Sequence, residues 1–448
     1  MKVKRKIRDI ICLIILMITT IMQIPKEVKA NALCEACQAR KETGDAYEYQ
    51  HLCLIDLSGA VTEYVYNSKG LLVEETNPLG EVTVYKYDAF DRLLTTKTPD
   101  GTITNYEYIE DGKITGITAK KINGEMEKLY YRYTPEGYLA AAISEATTDE
   151  YTYTKRGEVA SVTRNGRYRL EFSYDERGNL TELKELVLDE KTSESVTNYE
   201  YDAFNRMIKV VQDGEILSTY DYDDTGRLIY QTDGIGNLTK YIYNKENQLT
   251  CMETKTAEGT VLYREENNYN INGSIISRKI SGLVPSIGGT MGEFTFCYDE
   301  YDRLIMEQGV HGTIRYTYDV MGNRLSKTEN GVTTHYTYDL CNKLVSEKTG
   351  QTETNYIYDS MGNLVKKIAP EGETDYSYNA FNQLELVTTP TGASQVSFYD
   401  AFGIRSSLME NDVTTQYMTY NGVVLSGYNS KGERTEHYTY GNKILTWE

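Results

Sequence analysis

The sequence of 448 residues is poor in proline, phenylalanine and tryptophan, with 7, 8 and 1 residues respectively. Histidine is scarce, and its four copies lack a metal-binding spacing such as His-Glu-x-x-His. A Gly-x-Ser-x-Gly elbow and a phosphate-binding loop are also missing, and no carboxylate pair stands out as an acid/base pair. We therefore predict that the chain is not an enzyme and has no catalytic residue and no cofactor. The four histidines are His51, His311, His335 and His437.

The 7 cysteines are too few and too scattered for a dense disulfide framework. Cys34, Cys37 and Cys53 cluster near the N-terminus with His51, which is a set of ligand types suited to zinc. A disulfide or unpaired thiols are the favoured interpretation of this cluster. We therefore predict no metal site.

Basic residues are outnumbered, 47 to 66, and the formal net charge is −19. Residues 1–30 begin with a basic stretch, continue with an apolar run over 10–24 and end in small residues, which is typical of a secretory signal too short to span a membrane. Removing them takes away seven basic and two acidic residues, so the charge becomes −19 − 5 = −24. We expect a secreted chain with no membrane contact after signal cleavage and no nucleic-acid binding through phosphates.

Tyrosine, by contrast, is abundant, with 41 copies. The phrase YTYDVMGNRL at 316–325 is followed by YTYDLCNKLV at 336–345 and YIYDSMGNLV at 356–365. Eighteen copies can be aligned on the second tyrosine of Tyr-x-Tyr, which we call the anchor. The anchors are Tyr66, Tyr87, Tyr108, Tyr133, Tyr153, Tyr174, Tyr201, Tyr222, Tyr243, Tyr269, Tyr298, Tyr318, Tyr338, Tyr358, Tyr378, Tyr399, Tyr420 and Tyr440.

The interval between anchors is mostly 20 or 21 residues, which indicates a repeat architecture. Longer intervals predict loop insertions near 110–126, 184–197, 254–266 and 279–293. We divide the chain into a signal peptide at 1–30, an N-terminal segment with the cysteine cluster at 31–59, and a repeat region at 60–448. A helix is expected only in the signal and within 31–43.

One copy, residues 352–372, predicts two strands and two turns. Thr354, Tyr356 and Tyr358 are spaced two apart and would share one face of a strand. Asp359 and Gly362 then favour a tight turn, because Asp bonds to nearby backbone and Gly permits positive φ. More than thirty short antiparallel strands would follow one another, and a sheet of that size has to curl. The fold class is therefore predicted to be all-β, a coiled ribbon of hairpins forming a partial hollow shell.

The turn phrase Tyr-Asp-x-x-Gly-Asn/Arg-Leu, as at 174–180, 222–228 and 318–325, resembles the YD repeat of RHS proteins. That family includes bacterial polymorphic-toxin carriers, wall-associated proteins of Gram-positive bacteria, insecticidal toxin-complex subunits and animal teneurins. The resemblance implies a β-ribbon spiralled into a hollow shell, which in toxin members encloses a C-terminal toxic domain until delivery. It also implies a secreted or cell-wall-associated protein that acts as a shell or scaffold for an effector in bacterial competition.

The sequence departs from many bacterial members of that family. They end in a core containing Asp-Pro-x-Gly, and this chain contains no Asp-Pro. Residues 438–448 begin another repeat, so we expect a partial chain that lacks the C-terminal core and the toxin domain. The expected partner is a toxin or effector, supplied in cis beyond the C-terminus or in trans.

Two features of the repeat allow a binding function. The Asp or Asn after the anchor would suit calcium, but one such residue per turn is too few ligands, and turn chemistry explains it. The tyrosine pairs would suit a stack of sugar rings, although cross-strand packing is the commoner role of such ladders. The alternative function is therefore a cell-surface adhesin or carbohydrate-binding repeat protein in contact with the cell wall or a glycan.

Overall fold

The structure is a computed structural model that describes residues 49–188, 193–283 and 290–447. These ranges contain 37 strands and no helix. None of the described chain therefore forms a helix with the length and apolarity to cross a membrane. The predicted signal at 1–30, and Cys34 and Cys37 with it, lie outside the described residues.

The strands are short, from four to nine residues, and alternate with tight turns. The first half of the ribbon consists of β1 (Tyr49–Ile55), β2 (Val61–Asn67), β3 (Leu72–Thr76), β4 (Val82–Tyr87), β5 (Leu93–Lys97), β6 (Ile103–Tyr108), β7 (Ile114–Lys120), β8 (Met126–Tyr133), β9 (Leu139–Ile143), β10 (Thr148–Tyr153), β11 (Val159–Arg164), β12 (Tyr168–Tyr174), β13 (Leu180–Val187), β14 (Ser193–Tyr201), β15 (Met207–Gln212), β16 (Glu215–Tyr222), β17 (Leu228–Asp233) and β18 (Leu238–Tyr243).

The second half consists of β19 (Leu249–Lys255), β20 (Val261–Tyr269), β21 (Ile275–Gly282), β22 (Gly292–Tyr298), β23 (Leu304–Gly309), β24 (Gly312–Tyr318), β25 (Arg324–Glu329), β26 (Val332–Tyr338), β27 (Leu344–Thr349), β28 (Thr352–Tyr358), β29 (Leu364–Ala369), β30 (Gly372–Tyr378), β31 (Leu384–Thr388), β32 (Ser394–Tyr399), β33 (Arg405–Glu410), β34 (Val413–Tyr420), β35 (Val423–Tyr428), β36 (Arg434–Tyr440) and β37 (Ile444–Trp447).

Each strand pairs antiparallel with the strand before it and the strand after it. Within the described ranges β1 and β37 do not pair with each other, so the sheet remains open. A one-residue shift in register recurs where an anchor tyrosine ends its strand, as at Tyr358 and Tyr378. The prediction of an all-β ribbon of antiparallel hairpins is confirmed.

The two faces of the ribbon differ in composition and burial. On β28, Thr354 is buried and Tyr356 and Tyr358 are half-buried, whereas Asn355 and Ile357 are exposed. We call the side that carries the Tyr-x-Tyr pairs the tyrosine face and the other side the opposite face. The alternation follows from the two-residue period of a strand.

The turn after an anchor, which we call the YD turn, is closed in most copies by the side chain of its first residue. In the YD turn 359–363, one carboxylate oxygen of Asp359 accepts from the backbone N–H groups of Met361 and Asn363, both at 2.9 Å. The other accepts from the Asn363 side chain at 3.0 Å. Gly362 has φ of 83°, and Asn342 and Asn382 hold the same place in their turns with φ of 61° and 63°. Both oxygens of the aspartate thus serve the turn itself.

Most anchors also tie their own unit to the one before. The hydroxyl of Tyr358 donates to the backbone carbonyl of Leu344 at 2.8 Å. Fifteen anchors make this bond, at 2.6–3.0 Å. A buried hydroxyl needs such a partner, so the repeated tyrosine serves both packing and hydrogen bonding.

The longer repeat intervals near 110–126 and 254–266 contain both turn and strand residues. β7 and β8 have 7 and 8 residues, and β20 has 9. Part of the added length there extends paired strands, because a longer strand keeps its backbone groups bonded within the ladder.

The ribbon coils, so that late strands lie over the tyrosine face of early ones. Lys121 donates to the carbonyl of Tyr378 at 2.7 Å, and Ser144 to that of Tyr399 at 2.9 Å. Such contacts join residues from 220 to 270 positions apart. We call residues 72–222 the first turn and residues 339–443 the second turn of this coil.

Candidate functional site

The tyrosine face is the candidate functional surface, and its largest buried cluster lies where the end of the chain covers β10–β17. Tyr168 stacks on Tyr428 with ring centres 4.4 Å apart, and Phe172 meets Tyr420 at 4.3 Å. Leu170 and Val210 are fully buried between the layers. The last hairpins are therefore docked by apolar packing, which is non-directional and proportional to the area removed from water.

A second cluster forms where YD turns from the second turn of the coil contact strands β6–β10. Ala401 is 3% exposed, and its carbonyl accepts from the hydroxyl of Tyr131 at 2.6 Å. Ala401 and Phe402 pack with Ile117 and Tyr133. Small and aromatic turn residues thus let a YD turn lie directly on the tyrosine face.

A buried ion cluster joins the two turns beside these apolar contacts. Arg164 makes two bonds to Asp149, at 2.8 and 2.7 Å, and one to Asp400 at 2.9 Å. The guanidinium also donates to the carbonyl of Tyr417 at 2.9 Å. Burial raises the pKa of Asp400, although Arg164 opposes the shift. A buried guanidinium with several acceptors fixes the relative position of the strands that carry them.

A second polar cluster centres on Glu185, which accepts from Ser426 at 2.5 Å and lies 2.9 Å from Nε2 of His437. Gln212 approaches Nδ1 of His437 at 3.0 Å. The residue types suggest a hydrolase, but the serine proton points to the carboxylate and not to the imidazole. His437 is 2% exposed, so a substrate has no approach. The arrangement acts as a clamp between β13, β15 and the last two hairpins.

On β23–β29 the tyrosine face carries charged residues. The fourth residue of every second strand from β23 to β29 alternates in charge, with Glu307, Lys327, Glu347 and Lys367. Each of these residues is paired in register with an aromatic residue on the preceding strand, as Lys327 is with Tyr316. This stretch of wall is thus polar, aromatic and close to neutral.

The residues weighed in the sequence do not come together as a site. His51 and Cys53 lie on β1, His335 on β26, and His311 contacts Thr290 at 3.1 Å. Among the described residues, no group of three or more His, Cys, Asp or Glu is placed to hold a metal ion. The cysteine cluster stays a prediction, since Cys34 and Cys37 fall outside the described ranges.

Sequence reasoning missed the contact between the two turns, although a signal for it exists. In the last five copies before residue 403, the residue three positions after the anchor is apolar or contains sulfur. In the earlier copies the residue at this position is mostly polar. The five are Met321, Cys341, Met361, Phe381 and Phe402. Four of the five, Cys341, Met361, Phe381 and Phe402, lie in the second turn of the coil. The ion cluster has no comparable signal, because its two carboxylates lie 15 and 236 residues from Arg164 in the sequence.

Comparison with known proteins gives the following matches. The family described as Teneurin YD-shell matches residues 101–255 and 246–443, and the family described as RHS Repeat matches residues 66–103. No curated protein matches the chain.

Solved structures resemble the fold at low identity. The crystal structure of TcdB2-TccC3-Cdc42 has a TM-score of 0.62 at 12% identity, over 89% of this chain and 26% of that chain. TcdB2-TccC3 without its hypervariable C-terminal region has a TM-score of 0.58 at 12% identity, over 89% and 26%. TcdB2-TccC3-TEV has a TM-score of 0.55 at 14% identity, over 86% and 26%. The chain thus spans about a quarter of the length of these solved chains.

Proposed function

The chain belongs to the teneurin YD-shell family, and from this premise we propose that it is an exported segment of a hollow carrier shell that encloses an effector used in competition between bacteria. The observation that carries the proposal is the coil itself. Late strands lie over the tyrosine face of early strands, so this face is turned toward the inside of the coil. The role of the chain is architectural, and any chemistry belongs to the enclosed effector.

The charged zone of the wall suits this role. Glu307, Lys327, Glu347 and Lys367 alternate in sign along it, and the hydroxyl of Tyr356 donates to Glu347 at 3.0 Å. A wall of this kind offers neither a large apolar patch nor a field of one sign. Cargo of either charge would therefore meet little adhesion, and confinement rather than affinity would hold it.

Photo-crosslinking from the two faces tests the proposal. We would replace Tyr356 with benzoylphenylalanine in the chain expressed in its native host, irradiate the secreted material and identify the adducts by mass spectrometry. Ile357 is the matched control, because it is the next residue on the same strand and points to the opposite face. The carrier role predicts one effector-sized adduct from position 356 and none from 357. Equal crosslinking from both positions, or none from 356, would contradict it.

The intact mass of the secreted protein tests export and the source of the effector. Cleavage after residue 30 would place the mass a few kDa below the 51.1 kDa of the sequence. A chain of that size would receive its effector in trans. A much larger mass would place the effector in cis, beyond residue 448, and an uncleaved N-terminus would remove the proposed export route.

A further inference from the structure

A cavity of about 440 Å³ opens on the tyrosine face of β3–β6, beneath the YD turn 359–363 of the second turn. Tyr85, Tyr87 and Tyr106 line it, and Met361 lies at its second-turn side. The volume falls within the range of small-molecule sites. Ser360 and Met361 are the lining residues that come from the second turn of the coil, so the coil completes the cavity.

Glu75 contributes a carboxylate to this cavity. It is half-buried, and the hydroxyl of Tyr85 donates to it at 3.3 Å. In the described part of the chain, no lysine, arginine or histidine nitrogen lies within ion-pair distance of Glu75. Two other carboxylates on the same face do have such a partner: Glu265 lies 3.2 Å from Arg278, and Glu185 lies 2.9 Å from His437.

We propose that this cavity binds a compact organic ammonium ion, with Glu75 as the counter-charge and the tyrosine rings as the cage. The rings present negative faces that attract an alkylated cation, and the effect grows when the cation is removed from water. A half-buried carboxylate that gains a cation recovers part of the cost of its own burial. The proposal does not rest on the carrier role, because the cavity is complete within this chain.

An inorganic ion fits the same cavity less well. Calcium takes six to eight oxygen ligands, most of them carboxylates or carbonyls. Besides Glu75, the only other carboxylate among the residues that line the cavity is Glu81, which is engaged by the side chain of Asn77 at 2.5 Å. Aromatic walls with one available carboxylate favour a cation that carries its own apolar groups.

Choline and 3,3-dimethyl-1-butanol provide the test, since they have the same shape and differ in charge. Each is titrated into the purified full-length chain and followed by NMR of ¹³C-methyl-labelled methionine and by calorimetry. We expect saturable binding of choline, with a shift of the Met361 methyl signal, and at least tenfold weaker binding of the neutral alcohol. A Glu75→Gln variant keeps an acceptor for Tyr85 and should lose at least tenfold in choline affinity.

Glu347→Gln is the matched control, because Glu347 occupies the same repeat position and accepts from Tyr356 at 3.0 Å, outside the cavity. Its affinity for choline should equal that of the unaltered chain. Three outcomes would overturn the proposal: no saturable binding of choline, equal binding of the neutral alcohol, or equal loss in both glutamine variants. Circular dichroism and melting curves of both variants show whether each still folds, and Tyr87→Leu provides a second cage variant expected to weaken choline.

Discussion

Arg164 and Asp400 are 236 residues apart in the sequence, and their side chains meet at 2.9 Å. Both are almost completely buried, at 6% and 3% side-chain exposure. The first turn of the ribbon is therefore bound to the second by a contact from which water is excluded.

Replacing Arg164 with Met should release the second turn. The change leaves the carboxylates of Asp149 and Asp400 buried without their cation, which costs about 3–5 kcal/mol in comparable sites. Urea unfolding, followed with limited proteolysis at the second turn, measures the loss. Arg132→Met is the control, since Arg132 is 62% exposed, and its effect should stay within about 0.5 kcal/mol. Similar midpoints for the two variants would argue against the buried contact.

The same three residues, Asp-Ala-Phe, occur in two YD turns, at 400–402 and at 88–90. The turn at 400–402 packs against the first turn of the coil, whereas the turn at 88–90 is exposed. Ala401 is 3% exposed, whereas Phe90 beside Ala89 is 79% exposed. Ala401→Glu would bury a charge without a partner and should detach the turn, at a cost of several kcal/mol. Ala89→Glu should change the melting temperature little. Thermal melting of the two variants decides the question, and an equal drop in both would refute the proposed contact.

Gly362→Val should destabilise its YD turn through backbone strain alone. Gly362 has φ of 83°, and an added Cβ would meet nothing closer than 3.6 Å, the side chain of Lys343. A β-branched residue at positive φ costs about 1–3 kcal/mol. Gly362→Asn should be nearly neutral, because Asn342 and Asn382 occupy the same place elsewhere. A protease pattern that is unchanged in the valine variant would show that this turn tolerates the strain.

Two aspartates at the same repeat position should respond to pH with opposite signs. In the exposed turn of Asp223, the hydroxyl of Thr225 and backbone N–H groups lower the pKa. Its stabilising effect is present above the pKa of the unfolded chain, about 3.9, and is lost as the pH falls. Asp223→Asn should therefore reduce stability at neutral pH and flatten the acid limb of a melting-temperature profile. Asp221→Asn, on the same strand, is the control.

Asp400 has the opposite shift, because burial raises its pKa. A folded state that binds the proton more tightly than the unfolded chain is stabilised below the unfolded pKa, and this contribution is lost as the pH rises through the raised value. Asp400→Asn keeps an acceptor for the turn and removes the charge. Its melting temperature should fall less than that of the unaltered chain between pH 4 and 7. A parallel profile would mean that Asp400 titrates normally.

The sequence was sufficient to predict what the repeat determines locally. The two-residue spacing of Thr354, Tyr356 and Tyr358 and the turn at Asp359 and Gly362 are confirmed, as is membership in the YD-repeat family. These features depend on residues within one unit of about twenty, so each copy supports the assignment of the next.

The contacts between turns of the coil could not be predicted in the same way. In the sequence, nothing distinguishes Arg164 from a surface arginine or His437 from any other histidine on a strand. Only the coil places each of them next to a carboxylate. Such pairs depend on the radius of the coil, which the repeat does not encode in any one copy. A shift of one unit in the number of hairpins per turn would give every such residue a different neighbour.

Because every strand pairs with the strand made just before it, almost the whole ladder has low contact order. A chain that is synthesised N-terminus first can form each hairpin as soon as its second strand appears, without waiting for distant sequence. Only the contacts between turns need a partner made more than 200 residues earlier. Ribbon growth and coil closure are therefore separable events in time, and a chain that stalls during synthesis would remain paired along its length while its tyrosine face stayed accessible.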